Sequence, residues 1–372
     1  MNAALGAIAH GPSATAAATL AQIDAQLRLG RPVTGIDLSG VPLRRLNWAG
    51  AVFKDAAFAG AQFIDVDLSG TRFVQCDLSG ADLRGAVLDR SAWVECRMPR
   101  ADLSAVRASY LSLLQCDASA SIWRDAALHL STLTRCALTG AQFAAASWTR
   151  SVLFGCDVAG ADFMHARFDQ CALSGTDLRR ANLTRLDANT SVFMDCNFAG
   201  LPLAGIRLAR CTLQHCDFSD ADLSDAVLTE ANCRGATIAR AKVGGLRAEC
   251  ALLIDAQLTD LDLSETTLTG ALFGNATLAR VRFDRARIEQ TIWHHSRLTD
   301  VSFAHASLNY AQFDHARGER VSFERAQLER VSLHDAQFRD SSFAGARRYR
   351  TRSTDAKLLA AQRGSLAKEK LR

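Results

Sequence analysis

Cysteine, histidine, aspartate and arginine recur in this sequence at intervals that could support chemistry. Cys76, Cys96, Cys116, Cys136 and Cys156 stand twenty residues apart, and Cys196 and Cys216 keep the same phase. Thiols in such a series suggest redox exchange or zinc. Near the C-terminus His294, Asp314 and His334 repeat at that interval, with His295, His315 and Asp335 one residue later. Imidazole beside carboxylate suits a transition metal such as zinc, copper or nickel. Two charged series run through the chain as well: Asp37, Asp77, Asp117, Asp157, Asp177 and Asp217, and Arg107, Arg167, Arg207, Arg247 and Arg287. A Gly-rich phosphate loop, HExxH, GxSxG and a CxxC pair are all missing.

These intervals belong to a shorter repeat that governs the whole chain. From Val33, every fifth residue is large and apolar: Leu38, Leu43, Trp48, Phe53, Phe58, Phe63 and onward to Phe323, Leu328, Leu333, Phe338 and Phe343. The frame holds for 63 consecutive positions without insertion or deletion, and only Ala108, Ala118, Ala188, Cys233, Ala248 and Gly318 depart from a large side chain. All five tryptophans lie in this column. Two residues before each large one sits a small one, as in Ala51, Ala56, Ala61, Cys76, Ala81 and Ala86. A period of five fits neither an amphipathic helix nor a half-buried strand. One large and one small inward residue per five describes a repeated side of a polygonal coil.

Units such as Ala81-Asp82-Leu83-Arg84-Gly85 and Ala161-Asp162-Phe163 resemble the pentapeptide-repeat family over residues 31–346. The resemblance implies an all-β fold, a right-handed quadrilateral β-helix with four pentapeptides per coil and about 16 coils. Residues 1–30 then form an N-terminal segment whose residues 14–29 read as a capping helix, with Ser13 as N-cap and Gly30 and Pro32 as the stop. Residues 347–372 form a basic C-terminal tail or second capping helix over 355–371.

With four pentapeptides per coil, residues twenty apart stack, and the chemical candidates sort onto faces. The cysteine series occupies the small inward position, where Cys fills space as a small hydrophobe. Parallel thiols in one column suit neither a disulfide nor a tetrahedral zinc. Cys250 is the one expected at the surface. His294, His295, Asp314, His315, His334 and Asp335 share one corner and are the candidate metal ligands, although stacked columns do not readily converge on one ion.

One face differs from the other three. Val74, Val94, Leu114, Phe154, Met194 and Ile254 on one flank, and Val152, Val192 and Leu252 on the other, stand where the remaining faces carry polar residues. An exposed apolar stripe usually marks an interaction surface, here for a second copy or another protein. The reading is therefore a protein-binding scaffold or adaptor, not an enzyme and without a cofactor. Residues 20–40 resemble the start of the repeats in accessory proteins of bacterial type VI secretion systems, which implies an adaptor or chaperone role there.

Charge narrows the alternatives. Residues 1–346 hold 34 Lys/Arg against 37 Asp/Glu, whereas residues 347–372 hold nine against two. Some pentapeptide-repeat proteins mimic duplex DNA and bind gyrase, but mimicry needs a strongly acidic surface, and this body is near neutral. The tail arginines Arg347, Arg348, Arg350 and Arg352 offer a second alternative, contact with nucleic acid or an anionic membrane. No apolar run is long enough to span a membrane, the start lacks a basic signal-peptide region, and the thiols suit a reducing cytoplasm.

Overall fold

A period of five builds a flat side and a sharp corner. In each pentapeptide away from the end coils the large residue and the small one two positions before it are buried, and the remaining positions face outward. Two residues after the large one, the backbone turns through positive φ: 51° at Asp55, 55° at Gln75, 57° at Arg90 and 66° at Gly70. Such a conformation costs an ordinary L-residue on the order of 1–2 kcal/mol. Hydrogen bonds to the neighbouring coils offset it. Phe58 N–H donates to the Asp77 carbonyl at 2.7 Å, and Asp77 N–H donates to the Ala56 carbonyl at 3.0 Å. Residues twenty apart are thus parallel register partners, as Phe53 with Phe73 and Leu258 with Leu278 show.

The computed structural model describes residues 14–174 and 176–369; Ser13 lies outside them. The chain forms a parallel β-solenoid of about 15 turns, divided into two compact units, one of residues 1–167 with 180–182 and one of 168–179 with 183–372. In the first unit, the strands Val52–Lys54, Arg72–Val74, Ala92–Val94, Ser112–Leu114, Thr132–Thr134 and Val152–Phe154 stack in order into one sheet face. In the second, a six-stranded sheet runs from Thr237–Ala239 through Gln257–Asp262, Thr277–Arg282, Arg297–Thr299 and Arg317–Glu319 to Gln337–Arg339.

Inside each unit, rings from successive coils stack. Phe143 and Phe163 lie 5.0 Å apart at 7° in the first unit, and Phe273 and Trp293 lie 3.9 Å apart at 3° in the second. A buried indole also needs a partner for its N–H. For three of the five tryptophans a hydroxyl at the small inward position two residues earlier supplies it: Ser91 Oγ accepts from Trp93 at 3.2 Å, Ser121 Oγ from Trp123 at 2.7 Å, and Thr291 Oγ1 from Trp293 at 2.8 Å.

At the N-terminal end, helix α1 (Ala14–Arg28) buries Ile23 and stops where Arg31 N–H bonds the Gln26 carbonyl and Gly30 N–H bonds that of Leu27. This pair of bonds is a Schellman closure, with Gly30 at φ 63°. At the other end the repeat runs past residue 346. Arg347 pairs with Gln327 and Arg352 with Ser332 across coils. Arg347 and Arg352 therefore belong to the last coil and not to a free tail, because their backbones complete the ladder whatever their side chains. Helix α2 (Ala356–Glu369) follows, with Asp355 Oδ1 accepting the N–H groups of Lys357 and Leu358 as its N-cap.

Candidate functional site

An apolar stretch of surface lies on the sheet face of the first unit formed by the strands from Val52–Lys54 to Val152–Phe154. Val74, Val94 and Leu114 follow one another in register, then Thr134, then Phe154. Phe154 is 51 % exposed, and Leu114 and Val152, the latter on the same strand as Phe154, are each 36 % exposed. Side chains on a strand alternate between faces; the inward Leu153 and Leu113 are fully buried, which leaves the residues flanking them no place but solvent. The second unit interrupts the expected stripe. Val192 and Met194 are parted from Leu252 and Ile254 by two polar coils, carrying Thr212 and Gln214, then Asn232 and Arg234. Arg234 reaches Asp255 at 2.9 Å. The repeat fixes which way each position points but not its polarity, so the stripe breaks without disturbing the fold.

The histidine corner is a packing junction. His294 Nε2 stands 3.8 Å from Asp314 and 3.2 Å from Gln312 Oε1, and His315 Nδ1 lies 3.2 Å from Asp335. The His295 and His315 rings stack at 4.8 Å. Asp314 accepts from the Ser332 hydroxyl and from the His334 backbone N–H. His334 is nearly buried and is held by Asp355 and Gln362. Among the described residues no three ligand groups converge as a metal would require. Columns with 20-residue spacing place rings side by side and aim them in parallel. The six residues expected as metal ligands are neighbours, then, but not a coordination shell.

The cysteine ladder is structural. Cys96 Sγ donates to the Phe73 carbonyl at 3.4 Å, Cys116 to Trp93 at 3.4 Å and Cys156 to Leu133 at 3.3 Å. Hydroxyls at equivalent positions do the same: Ser131 to Ala108 at 3.2 Å and Ser151 to Leu128 at 3.3 Å. Thiol and hydroxyl are alternative donors to one carbonyl at this step of the coil. Ten of the cysteines are buried and free, and Cys250 is exposed and free. Burial pushes the thiols of Cys211 and Cys233 up to about 12, and that of Cys196 up to about 11.

The charged columns are interrupted, and one corner pairs its own charges. In the first unit the aspartate column through Asp37, Asp77, Asp117 and Asp157 is broken by Ala57, Arg97 and Ala137. In the second, one corner alternates Asp220, Arg240, Asp260, Arg280, Asp300 and Arg320. Arg240 holds Asp220 with bonds of 2.8 and 2.7 Å, and Arg320 holds Asp300 with bonds of 2.6 and 2.9 Å. The arginine hydrogen bonds keep Asp220, Asp260 and Asp300 below the usual carboxylate range. This alternation and the indole acceptors were not singled out from the sequence, although spacing by twenty and by two would have shown both.

A model of the pentapeptide repeats family matches eight segments: residues 36–75, 76–109, 131–170, 149–185, 161–200, 206–243, 256–292 and 296–335. No curated protein matches the chain. Among solved structures, full-length QnrB1, a plasmid-mediated fluoroquinolone resistance protein, is 17 % identical with a TM-score of 0.25, over 55 % of this chain and 92 % of that one. HetL, a pentapeptide repeat protein of heterocyst differentiation regulation from the cyanobacterium Nostoc sp., is 18 % identical with a TM-score of 0.17, over 89 % and 93 %. The A-module of the mannuronan C-5 epimerase AlgE4 of Azotobacter vinelandii is 12 % identical with a TM-score of 0.28, over 94 % and 96 %.

Proposed function

The chain belongs to the pentapeptide repeat family, and from that premise we propose that it is a non-enzymatic scaffold that binds a protein partner through the apolar face of its first unit. One observation carries this reading: Phe154 is half exposed beside Val152, one polar coil beyond Leu114, on a flat sheet with no covering element among the described residues. Burying such side chains against a partner contributes on the order of 1.5–3 kcal/mol each, enough for a few residues to anchor an interface. A protein that presents its own apolar patch is the natural partner, and a second copy of this chain is the simplest case. The free thiols fit action in a reducing compartment such as the cytoplasm. The finer reading, an adaptor in bacterial type VI secretion, rests on residues 20–40 alone.

The test compares the wild type with a Leu114→Asp/Phe154→Asp variant, by light scattering for mass and by capture of binding proteins from the native host. Both side chains are at the surface, so the variant keeps its circular dichroism and melting temperature. Loss of a dimer or of a captured protein in the variant supports the face. Equal behaviour of the two proteins rejects it. Capture of a secreted spike or effector would single out the secretion reading.

A further inference from the structure

Three departures from the repeat coincide at one place in the second unit. First, the inward column has its single glycine at Gly318, and a Cβ there would meet the Phe338 ring at 2.4 Å, so that ring folds back beneath the glycine. Second, the outward column to which Asp217 belongs carries Arg297 and Arg317 as direct register partners, with Gln337 following them. Like charges placed opposite one another on neighbouring strands are destabilising. Third, the outer surface carries a concavity of about 260 Å³ there, floored by Leu298 and Gly318 and walled by Arg297, Arg317, Thr299, Glu319, Gln337 and Arg339.

The nearby acids do not neutralise these arginines. Glu319 and Asp300 are both taken by Arg320. Arg317 bonds only the neutral Gln337, at 3.0 Å. Among the described residues Arg297, Arg317 and Arg339 make no ion pair, whereas Arg207, Arg240, Arg280 and Arg282 of the same unit all do. Three guanidiniums without an ion pair thus stand around a hollow whose one carboxylate, Glu319, is engaged by Arg320.

We propose that this concavity is a binding site for a small phosphate-bearing anion. Paired guanidiniums present parallel N–H donors that match phosphate oxygens bidentately. The amide of Gln337, whose oxygen is engaged by Arg317, is left to donate its N–H, and the Thr299 hydroxyl lies on the opposite wall. The hollow has room for a pyrophosphate or phosphate-ester group. It is far too short for the extended phosphate run of a duplex, and local rule-breaking of this kind is expected at functional sites. The site is independent of the apolar face and stands whether or not that face binds a protein.

Inorganic pyrophosphate is the probe, titrated calorimetrically into the wild type, an Arg297→Gln/Arg317→Gln variant and an Arg282→Gln control. Saturable one-to-one binding is expected in the wild type and the control, with about tenfold or greater weakening in the double variant. Without ligand, the double variant should melt no lower than the wild type, because the substitution removes repulsion. Binding that is absent, or equal in all three proteins, overturns the proposal. So does a preference for acetate over pyrophosphate, or tighter binding of a short DNA duplex than of pyrophosphate with the same dependence on both arginines.

Discussion

The Nδ1 of His334 accepts the backbone N–H of Asp355 at 3.2 Å, while its Nε2 faces Gln362 Oε1 at 3.1 Å. One ring thereby ties the last full coil to both the N-cap and the middle of helix α2. The acceptor role of Nδ1 places the proton on Nε2, so the ring is neutral in this arrangement. His334→Ala removes both bonds, each worth about 1 kcal/mol. Amide exchange should accelerate over residues 356–362 and stay unchanged over residues 300–330. Unchanged exchange in the helix would show that His334 does not hold it.

Thiol accessibility should separate one cysteine from ten. In the native protein a thiol reagent such as Ellman's should label Cys250 alone, and all eleven should react after unfolding. The raised thiols of Cys196, Cys211 and Cys233 reinforce the steric barrier, since the thiolate is the reactive form. A second fast-reacting thiol under native conditions would contradict the ladder as described.

The indole acceptors predict an unusual ranking of substitutions. Trp293→Ala empties a stacked, fully buried site and should cost about 3–5 kcal/mol. Thr291→Val preserves volume but leaves the Trp293 N–H without its acceptor, which should cost about 1–3 kcal/mol. Trp293→Phe should cost less than Trp293→Ala, because a ring still fills most of the site stacked between Phe273 and Phe313 and Thr291 keeps its bond to the Ile288 carbonyl at 2.8 Å. Denaturant melts rank the three, and a neutral Thr291→Val would remove the acceptor role.

Acidification should weaken the second unit through His295. Burial, then the neighbouring His315 and His294, hold its pKa below the ordinary 6.5, while Asp335 opposes them. Above 6.5 the ring is neutral whether the chain is folded or not. As pH falls below 6.5 the unfolded chain takes the proton first, so stability declines until the folded-state pKa is passed. The melting temperature should drop between about pH 7 and 5, and less so in His295→Asn. An equal drop in both proteins would assign the effect elsewhere.

The alternating corner predicts charge rescue. Arg280→Asp places a carboxylate in line with those of Asp260 and Asp300, and the melting temperature should fall at low salt. Adding Asp260→Arg restores an opposite-charge neighbour and should recover part of the loss. High salt should shrink both effects, because these groups are exposed. Salt-independent losses would point to packing.

Most of the architecture could be read in the sequence because a single rule generates it. Leu83, Phe163 and Phe323 are inward for the same reason, and the phase of Val33 fixes that of Phe343 more than three hundred residues later. Surface properties were legible only position by position. Phe154 was visible as an apolar residue in an outward place, and it is exposed. The gap between Met194 and Ile254 was missed, since stacking Gln214 and Arg234 into the same column needed the whole column to be read. The histidine corner was placed correctly as a neighbourhood, but only side-chain direction could show that His334 faces α2. The end of the repeat was obscured because Arg347 and Arg352 pair through backbone groups that carry no side-chain signature.

The corner at every fifth residue also makes chain length a quantised variable. Adding or removing twenty residues within the repeat inserts or deletes one coil and leaves every downstream column in phase. Five residues would keep the interior intact, since large still follows small, yet would rotate everything after the change by one side. Arg317 would then look out from a different wall than Asp217 does, and Phe154 would part company with Leu114. One residue more or less would do worse and turn the interior outward. Surface patterning in such a molecule is thus preserved by arithmetic, and a lineage can lengthen it freely only in steps of one full circuit.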